Sequence, residues 1–255
     1  MNKVQFSLAG QIALITGASR GIGRAIALAY AAAVAEVALV SRSVEALAQV
    51  VSEIQQGGGR AGAEPGDVSR PEDVDRIVQR VMGSHGRVDV LVNCAGIIPI
   101  YTRTMKVTLD QWQTILDTNL TGTFLMCQAV GRHMLAAQKG SVINITSMGA
   151  RVGLPRLSAY CASKAGVEAL TRVLALEWAE YVVRVNAIAP GYVDTEMTAG
   201  FKEKPQLYEQ VLAHTPMRRL ADPQEIAGAA IFLASEAASF MTGQTIVVDG
   251  GWMAE

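Results

Sequence analysis

Tyr160 and Lys164 stand four residues apart in the run Tyr160-Cys161-Ala162-Ser163-Lys164, at the start of a stretch with strong helical character. On a helix that spacing sets both side chains on one face, one turn apart. A phenol ordinarily titrates at about 10, so it exchanges protons poorly at neutral pH unless a nearby cation favours the phenolate. The pair therefore reads as an acid/base group with its own modulator, suited to giving a proton to an oxygen or taking one from it. The same spacing also arises on helices that carry no chemistry, so its surroundings must decide.

A second group with chemical meaning is Thr16-Gly17-Ala18-Ser19-Arg20-Gly21-Ile22-Gly23, which follows a short apolar run and opens a helical pattern. Its G-x-x-x-G-x-G spacing is neither G-x-G-x-x-G nor the P-loop, which needs Lys and then Ser or Thr after its last Gly. The physics is shared, because glycines let the backbone turn tightly and approach a pyrophosphate seated on a helix N-terminus. Alone, such a loop is equally compatible with a turn that binds nothing. An acidic residue about 20 positions further on would hold a ribose 2′-hydroxyl, whereas Arg there accommodates a 2′-phosphate. Here the chain reads Val40-Ser41-Arg42-Ser43, with Glu36 at the beginning of that run and Glu45 in the next helical stretch. Ser41 and Arg42, joined by Arg20, are residue types that hold a phosphate dianion through charge-assisted hydrogen bonds, so NADP(H) is the expected cofactor. The other reading of Arg42 is a solvated cap residue.

These groups need elements to position them. Short runs rich in Val and Ile recur at Ile12 to Ile15, Val37 to Val40, Val88 to Val92, Val142 to Ile145, Val183 to Ile188 and Ile246 to Val248. Runs this continuous suit strands buried on both faces. Between them lie helical patterns at Ala25 to Ala33, Val44 to Gln56, Pro71 to Met82, Leu109 to Ala137 and Ala159 to Glu180. The alternation predicts an α/β fold: a doubly wound, Rossmann-like parallel sheet with helices on both faces, as a single domain over residues 1–255. A weakly apolar third strand is expected between Arg60 and Gly66, with Gly57-Gly58-Gly59 as its connection. Residues 191–223, interrupted by Pro205 and Pro216, form the one long excursion and read as a substrate lid or a surface loop containing a helix.

Of the 255 residues, 50% are hydrophobic and 18% charged, which suits a buried core, and the net charge is −1 with no block of like charges. That balance favours a small-molecule partner over nucleic acid or an anionic membrane. Met1 to Gly10 does not read as a secretory signal. Ala25 to Val40, broken by Glu36, is shorter than the roughly 18 residues a membrane span needs. Cys94, Cys127 and Cys161 are odd in number and match no metal-ligand spacing, so reduced thiols, a cytoplasmic location and no metal site are expected. His85, His133 and His214 sit apart from every motif, which argues against a Ser-His-Asp hydrolase or a His-based dehydrogenase.

In order along the chain, T-G-A-S-R-G-I-G at 16–23, Asp67-Val68, Asn93-Cys94-Ala95-Gly96, Asn119, Ser147, Tyr160 with Lys164, Arg184-Val185-Asn186, Pro190-Gly191 with Thr195, and Val248-Asp249-Gly250-Gly251 resemble the short-chain dehydrogenase/reductase family over essentially the whole length. The resemblance implies hydride transfer between NADP(H) and a ketone or secondary alcohol, with Asn119, Ser147, Tyr160 and Lys164 as the catalytic set. Tyr160 would exchange the proton and Ser147 would donate a hydrogen bond to the same oxygen. Lys164 would lower the Tyr160 pKa and contact the nicotinamide ribose, and Asn119 would hold a water linking Lys164 to solvent. Gly17, Ser19, Arg20, Gly21, Ile22, Gly23, Ser41 and Arg42 would bind the cofactor's phosphates. Asp67 and Val68 would meet the adenine; Asn93, Ala95 and Gly96 would line the cleft, and Pro190, Gly191, Val193 and Thr195 would receive the nicotinamide end. Asn186 would brace the sheet. A non-catalytic dinucleotide sensor on the same fold is the alternative, against which the four catalytic residues stand together.

Ile97, Ile98, Met148, Val152, Leu154, Tyr192, Met197 and Phe201 are expected around a mostly apolar substrate pocket. Arg151 and Arg156 nearby keep a sugar-acid substrate open. Family reductases that act on carrier-bound 3-oxoacyl chains use an Arg where this chain has Leu176, which disfavours that substrate. The family usually has Gly where this chain has Val34 and Val182, two helix-to-strand joints at which a left-handed residue is common and costly when β-branched. The apolar helices 109–137 and 159–180 imply a homodimer or homotetramer, with the tail from Val248 to Met253, including Trp252, reaching a neighbouring subunit.

Overall fold

Strands buried on both faces need helices above and below, and returning each strand parallel to the last through a helical crossover supplies them. The computed structural model describes residues 6–254, apart from the side chain of Phe201. The part of the Met1 to Gly10 segment before Phe6 lies outside the described residues. The strands are β1 (Ile12–Thr16), β2 (Glu36–Ser41), β3 (Arg60–Pro65), β4 (Val90–Asn93), β5 (Gly140–Ile145), β6 (Val183–Pro190) and β7 (Thr245–Val248). Among the described residues they form one sheet in the order β3-β2-β1-β4-β5-β6-β7, every pair parallel.

The helices are α1 (Gly21–Ala32), α2 (Val44–Gln56), α3 (Pro71–His85), α4 (Leu109–Leu116), α5 (Gly122–Ala137), α6 (Ser158–Trp178), α7 (Ala199–Lys202), α8 (Pro205–His214) and α9 (Pro223–Ala234). Alternate strand residues face opposite layers. Ile15, Leu39, Val92 and Ile143 pack with Ile26, Tyr30, Ile226 and Leu233 of α1 and α9. Leu14, Val40, Leu91 and Val142 pack with Ile77, Met126 and Trp178 of α3, α5 and α6. The Tyr30 hydroxyl donates to the Ala230 carbonyl at 2.8 Å and joins α1 to α9. Gly131 of α5 lies so close to Trp178 of α6 that a Cβ would sit 2.5 Å from the indole.

The expected stretch Leu109 to Ala137 is not one continuous α-helix: Asp117–Thr121 forms a π-helical turn between α4 and α5. Helix α6 ends at Trp178, and a 3₁₀ turn, Ala179–Tyr181, carries the chain to Val182. Residues 191–223 contain α7 and α8 and are pinned at both ends by a bridge from Val193 to Ala221. Sequence periodicity had not singled out α9, whose apolar residues occur on nearly every face.

The joints at Val34 and Val182 adopt left-handed backbone, with φ of 70° and 58°. At the end of α1 the amide of Ala35 returns to the Tyr30 carbonyl and that of Val34 to the Ala31 carbonyl, both at 3.0 Å. This is the bond pattern of a Schellman cap, and it requires the left-handed residue that Gly fills at least cost. Of the two outcomes open at these joints, a locally changed backbone or a strained one, the φ values show the strained one. No helix among the described residues is long and apolar enough to cross a membrane.

Candidate active site

Every strand of a parallel sheet ends on the same edge, and the residues that follow β1, β2, β3, β4, β5 and β6 line one cleft of about 820 Å³ there. The glycine loop forms its floor. Gly17 and Gly21 have φ of 67° and 54°, and a Cβ on Gly23 would lie 2.3 Å from the Gly17 carbonyl oxygen. Those contacts fold the loop back on itself at the start of α1. Residue Arg20 occupies the helix N-cap without a side-chain cap bond, and the first turn contains no acidic residue. The open amides and positive end of α1 therefore face the cleft, the arrangement that accepts a pyrophosphate.

Thr16 opens the motif in the sequence, but the motif assigns its side chain no role. Its hydroxyl accepts from the amides of Cys94 (3.0 Å) and Ala95 (3.1 Å), locking the β4 exit against the glycine loop. A polar residue closing an apolar strand just before the loop was the available signal. At the far end Ser41 closes β2, and the Arg42 side chain, 68% exposed, reaches to 4.0 Å from the Asp67 carboxylate. Arg20 is exposed at the same rim. The residues thus fit a dinucleotide with an added phosphate: glycine backbone and helix N-terminus for the pyrophosphate, and exposed guanidinium donors of Arg20 and Arg42 near the β2 tip.

At the other end of the cleft, Ser147 follows β5 and caps a 3₁₀ turn, Met148–Ala150, its Oγ accepting from the Gly149 amide at 3.0 Å. Tyr160 lies in the first turn of α6, and Lys164 follows one turn later. Burial pushes the Tyr160 phenol up to about 12, while a hydrogen bond with the Ser147 side chain pulls it the other way. Lys164 is 5% exposed, and burial brings its ammonium down to about 8. Its Nζ donates to the Ile145 carbonyl at 2.8 Å and lies 5.9 Å from the Tyr160 ring centroid. The sequence reading made Lys164 the group that lowers Tyr160; in this geometry the opposing influence on burial is Ser147. Cys94 also lines the cleft, and burial pushes its thiol up to about 11, so it stays protonated at neutral pH.

Most of the expected residues meet in this cleft: Gly17, Ser19, Arg20, Gly21, Ile22, Gly23, Ser41, Arg42, Asp67, Val68, Ala95 and Gly96 on one side, and Ser147, Tyr160, Lys164, Pro190, Gly191, Val193 and Thr195 on the other. Ile97, Ile98, Met148, Leu154, Tyr192 and Met197 extend its wall, and the side chain of Phe201 lies outside the described residues. Val152, also expected in the pocket wall, does not line the cleft. Asn93 does not line the cleft: it is 3% exposed, and its amide nitrogen donates to Asn144 Oδ1 at 2.9 Å and to Cys127 Sγ at 3.2 Å. Its amide instead ties β4 to β5 and to α5.

Asn119 sits in the π turn, fully buried. Its Oδ1 accepts from the Ile97 amide (2.8 Å), and its Nδ2 donates to the Ile97 carbonyl and to Ser163 Oγ (both 3.1 Å). Its carboxamide fastens the β4 exit to α6. Asn186 has the bracing contacts the sequence suggested, with Nδ2 donating to the Met241 carbonyl at 2.7 Å and Oδ1 accepting from Gln244 at 3.0 Å. Trp252 packs within its own chain in tilted ring contacts, its centroid 5.1 Å from that of Tyr192 and 5.5 Å from that of His214.

Arg151 is not free for a substrate, because its Nε donates to both oxygens of Glu168 at 3.1 Å. Arg156 lies over the Tyr101 ring, 5.4 Å from its centroid, at the cleft mouth. Tyr101 and Lys204 are further lining residues that no motif marked.

Comparison with known proteins agrees with this geometry. A family model described as enoyl-(acyl carrier protein) reductase matches residues 17–253. A 3-oxoacyl-(acyl-carrier-protein) reductase of Synechocystis sp. is 42% identical over 247 residues, covering 96% of this chain and 98% of its own. The D-threitol dehydrogenase of Mycolicibacterium smegmatis is 42% identical over 250 residues, covering 97% of this chain and 94% of its own. Among solved structures, a gluconate 5-dehydrogenase from Burkholderia cenocepacia in complex with NADP and tartrate superposes with a TM-score of 0.94 at 35% identity, over 98% of each chain. With the glycine loop, the Ser147, Tyr160 and Lys164 cluster and a family match over nearly its whole length, this chain belongs to the short-chain dehydrogenase/reductase family of oxidoreductases.

Proposed function

We propose that the chain is an NADP(H)-dependent oxidoreductase that interconverts a ketone and a secondary alcohol, using Tyr160 as the acid/base. The observation that carries this reading is the convergence of Tyr160, Ser147 and Lys164 at one end of a cleft whose other end offers Ser41 and Arg42 and no free acidic tip. When bound, the dinucleotide supplies the hydride for reduction and receives it in oxidation. During reduction, Tyr160 passes its phenolic proton to the carbonyl oxygen as negative charge develops there; during oxidation it takes the proton back. Ser147 donates a hydrogen bond to the same oxygen. Lys164 favours the phenolate that proton loss leaves behind. Asn119 fastens the β4 exit to α6 through Ile97 and Ser163 and so holds the cleft wall against the helix that carries Tyr160 and Lys164. The chain works as one catalytic domain, with residues 191–223 as a lid contributing Met197, Lys204 and Leu207 to the cleft.

Ile97, Met148, Leu154 and Met197 support a substrate with an apolar body. A second reading, a keto sugar or its acid, is supported by Arg156 over Tyr101, by Lys204 in the lining, and by the named sugar-alcohol and gluconate relatives. Leu176, 83% exposed, stands where a carrier-docking Arg would be needed, which speaks against an acyl-carrier substrate. Phe124, Val173 and Leu176 expose apolar surface on α5 and α6 and support pairing of two copies through those helices. A solution mass of two or four chains is the expected outcome, and a monomeric mass overturns it. Three free cysteines suit a reducing, cytoplasmic setting.

Steady-state assays of one simple ketone and a panel of keto sugars, with NADPH and with NADH, test the reading. NADPH should be preferred by about tenfold or more in kcat/KM, from the charge-assisted bonds at the β2 tip. Tyr160→Phe should lose about 10²–10⁴-fold in turnover while still binding NADPH. Full turnover in that variant sinks the mechanism, and a clear NADH preference removes the argument from Arg42. Activity confined to keto-sugar acids replaces the apolar substrate with the second reading.

A further inference from the structure

Glu168 follows Tyr160 by two turns and Lys164 by one, on the same face of α6, yet the proton-transfer scheme does not use it. It is a carboxylate only 5% exposed, and a buried charge is costly unless it is paired and hydrogen-bonded. Its partners explain why it is tolerated. Arg151 Nε donates to both of its oxygens at 3.1 Å. Arg172, one turn further along α6, lies 3.9 Å away. The Thr146 hydroxyl makes a long contact of 3.5 Å to Oε1 and donates to the Ile188 carbonyl at 3.0 Å.

Thr146 and Arg151 are the entry and the exit of the turn that carries Ser147. Inside it, the amides of Ala150 and Arg151 return to the carbonyls of Ser147 and Met148, both at 2.9 Å, and Ser147 Oγ accepts from the Gly149 amide. Tyr160 rides on a helix and Ser147 on a turn, so their separation is set by whatever joins the turn to the helix. One carboxylate touches both flanks of that turn.

We infer that Glu168 is a positioning residue: it clamps residues 146–151 onto α6 so that the Ser147 hydroxyl and the Tyr160 phenol converge on one substrate oxygen. The inference rests on the proposed roles of Ser147 and Tyr160. A positional error of about 1 Å is enough to cost catalysis heavily, so release of the clamp acts on turnover and leaves the distant cofactor contacts alone.

The test compares Glu168→Gln, which keeps the shape and removes the charge, with Arg151→Met, whose side chain is partly exposed and which leaves Arg172 to pair Glu168. Each is made in the wild type and in a Ser147→Ala background. In the wild-type background, kcat for ketone reduction should fall about tenfold or more in both variants, with KM for NADPH within about twofold. In the Ser147→Ala background the same substitutions should cost almost nothing further, because the group they position is gone. An undiminished loss in that background, or an unchanged kcat in both variants, overturns the inference. Amide exchange at Gly149 provides a readout that needs no turnover. It should accelerate in both variants, and unchanged protection overturns the clamp even if the chain proves inactive on every ketone, whereas lost protection in a chain without ketone activity removes the reading beneath it.

Discussion

Burial and hydrogen bonding pull the Tyr160 phenol in opposite directions, and burial wins, holding it near 12. Reduction needs the protonated phenol, which is present throughout the neutral range, whereas oxidation needs the phenolate, which burial disfavours. Alcohol oxidation should therefore rise with pH from about 7 to about 10, and ketone reduction should stay level over the lower part of that range. Ser147→Ala removes the interaction that lowers the phenol, so the rising limb should move to higher pH as well as losing amplitude. A pH–rate profile of oxidation in both proteins checks this; a flat wild-type profile, or a limb that does not move, contradicts it. The sequence spelled out the pair Tyr160 and Lys164 but not their environment. Burial emerges only when α6 docks on β5, and it acts on both groups, bringing Lys164 down to about 8.

The joints after α1 and before β6 carry Val34 and Val182 in left-handed backbone with side chains 64% and 67% exposed. Little packing is lost if either side chain is removed. Relief of the left-handed conformation is worth about 1–2 kcal/mol, against about 0.4–1 kcal/mol for the extra freedom that Gly brings to the unfolded chain. Relief wins by a small margin. Val34→Gly and Val182→Gly should each stabilise by up to about 1 kcal/mol and raise Tm by about 2–4 °C, additively because the joints are separate. Thermal melts of the single and double variants decide it, and a lower Tm in either single variant refutes the assignment of strain. Here the resemblance to the family marked the two joints, since Val stands where Gly is usual, but only the backbone angles show that the left-handed turn is kept. The π turn at Asp117–Thr121 was not legible: periodicity over residues 109–137 runs across it, and the extra residue in the turn shows only in how Asn119 reaches Ile97 and Ser163.

For the molecule as a whole, continuous apolar runs predicted six of the strands and a parallel sheet, the weakly apolar third strand was placed by the alternation, and the cleft follows because parallel strands share one exit edge. Asn93 went astray because a polar residue at a strand end can point along the exit or sideways into the layer, and sequence does not distinguish the two. Helix α9 escaped notice because a helix with apolar residues on nearly every face loses the stripe that periodicity detects. Yet α9 is what covers α1. The bond from the Tyr30 hydroxyl to the Ala230 carbonyl spans 200 positions of sequence, and the cluster around Ile26 and Tyr30 is completed by Ile226 and Leu233. As the chain is synthesised, its earliest helix thus presents an apolar face whose native cover is made near the end. Vectorial folding can assemble the β3-β2-β1-β4 half early, but the layer beneath it stays open until the last stretch emerges. A chain interrupted before residue 223 carries the glycine loop and Tyr160 and still lacks the closing half of that layer, so the hazard of a truncated product is association through α1 before any question of catalysis arises.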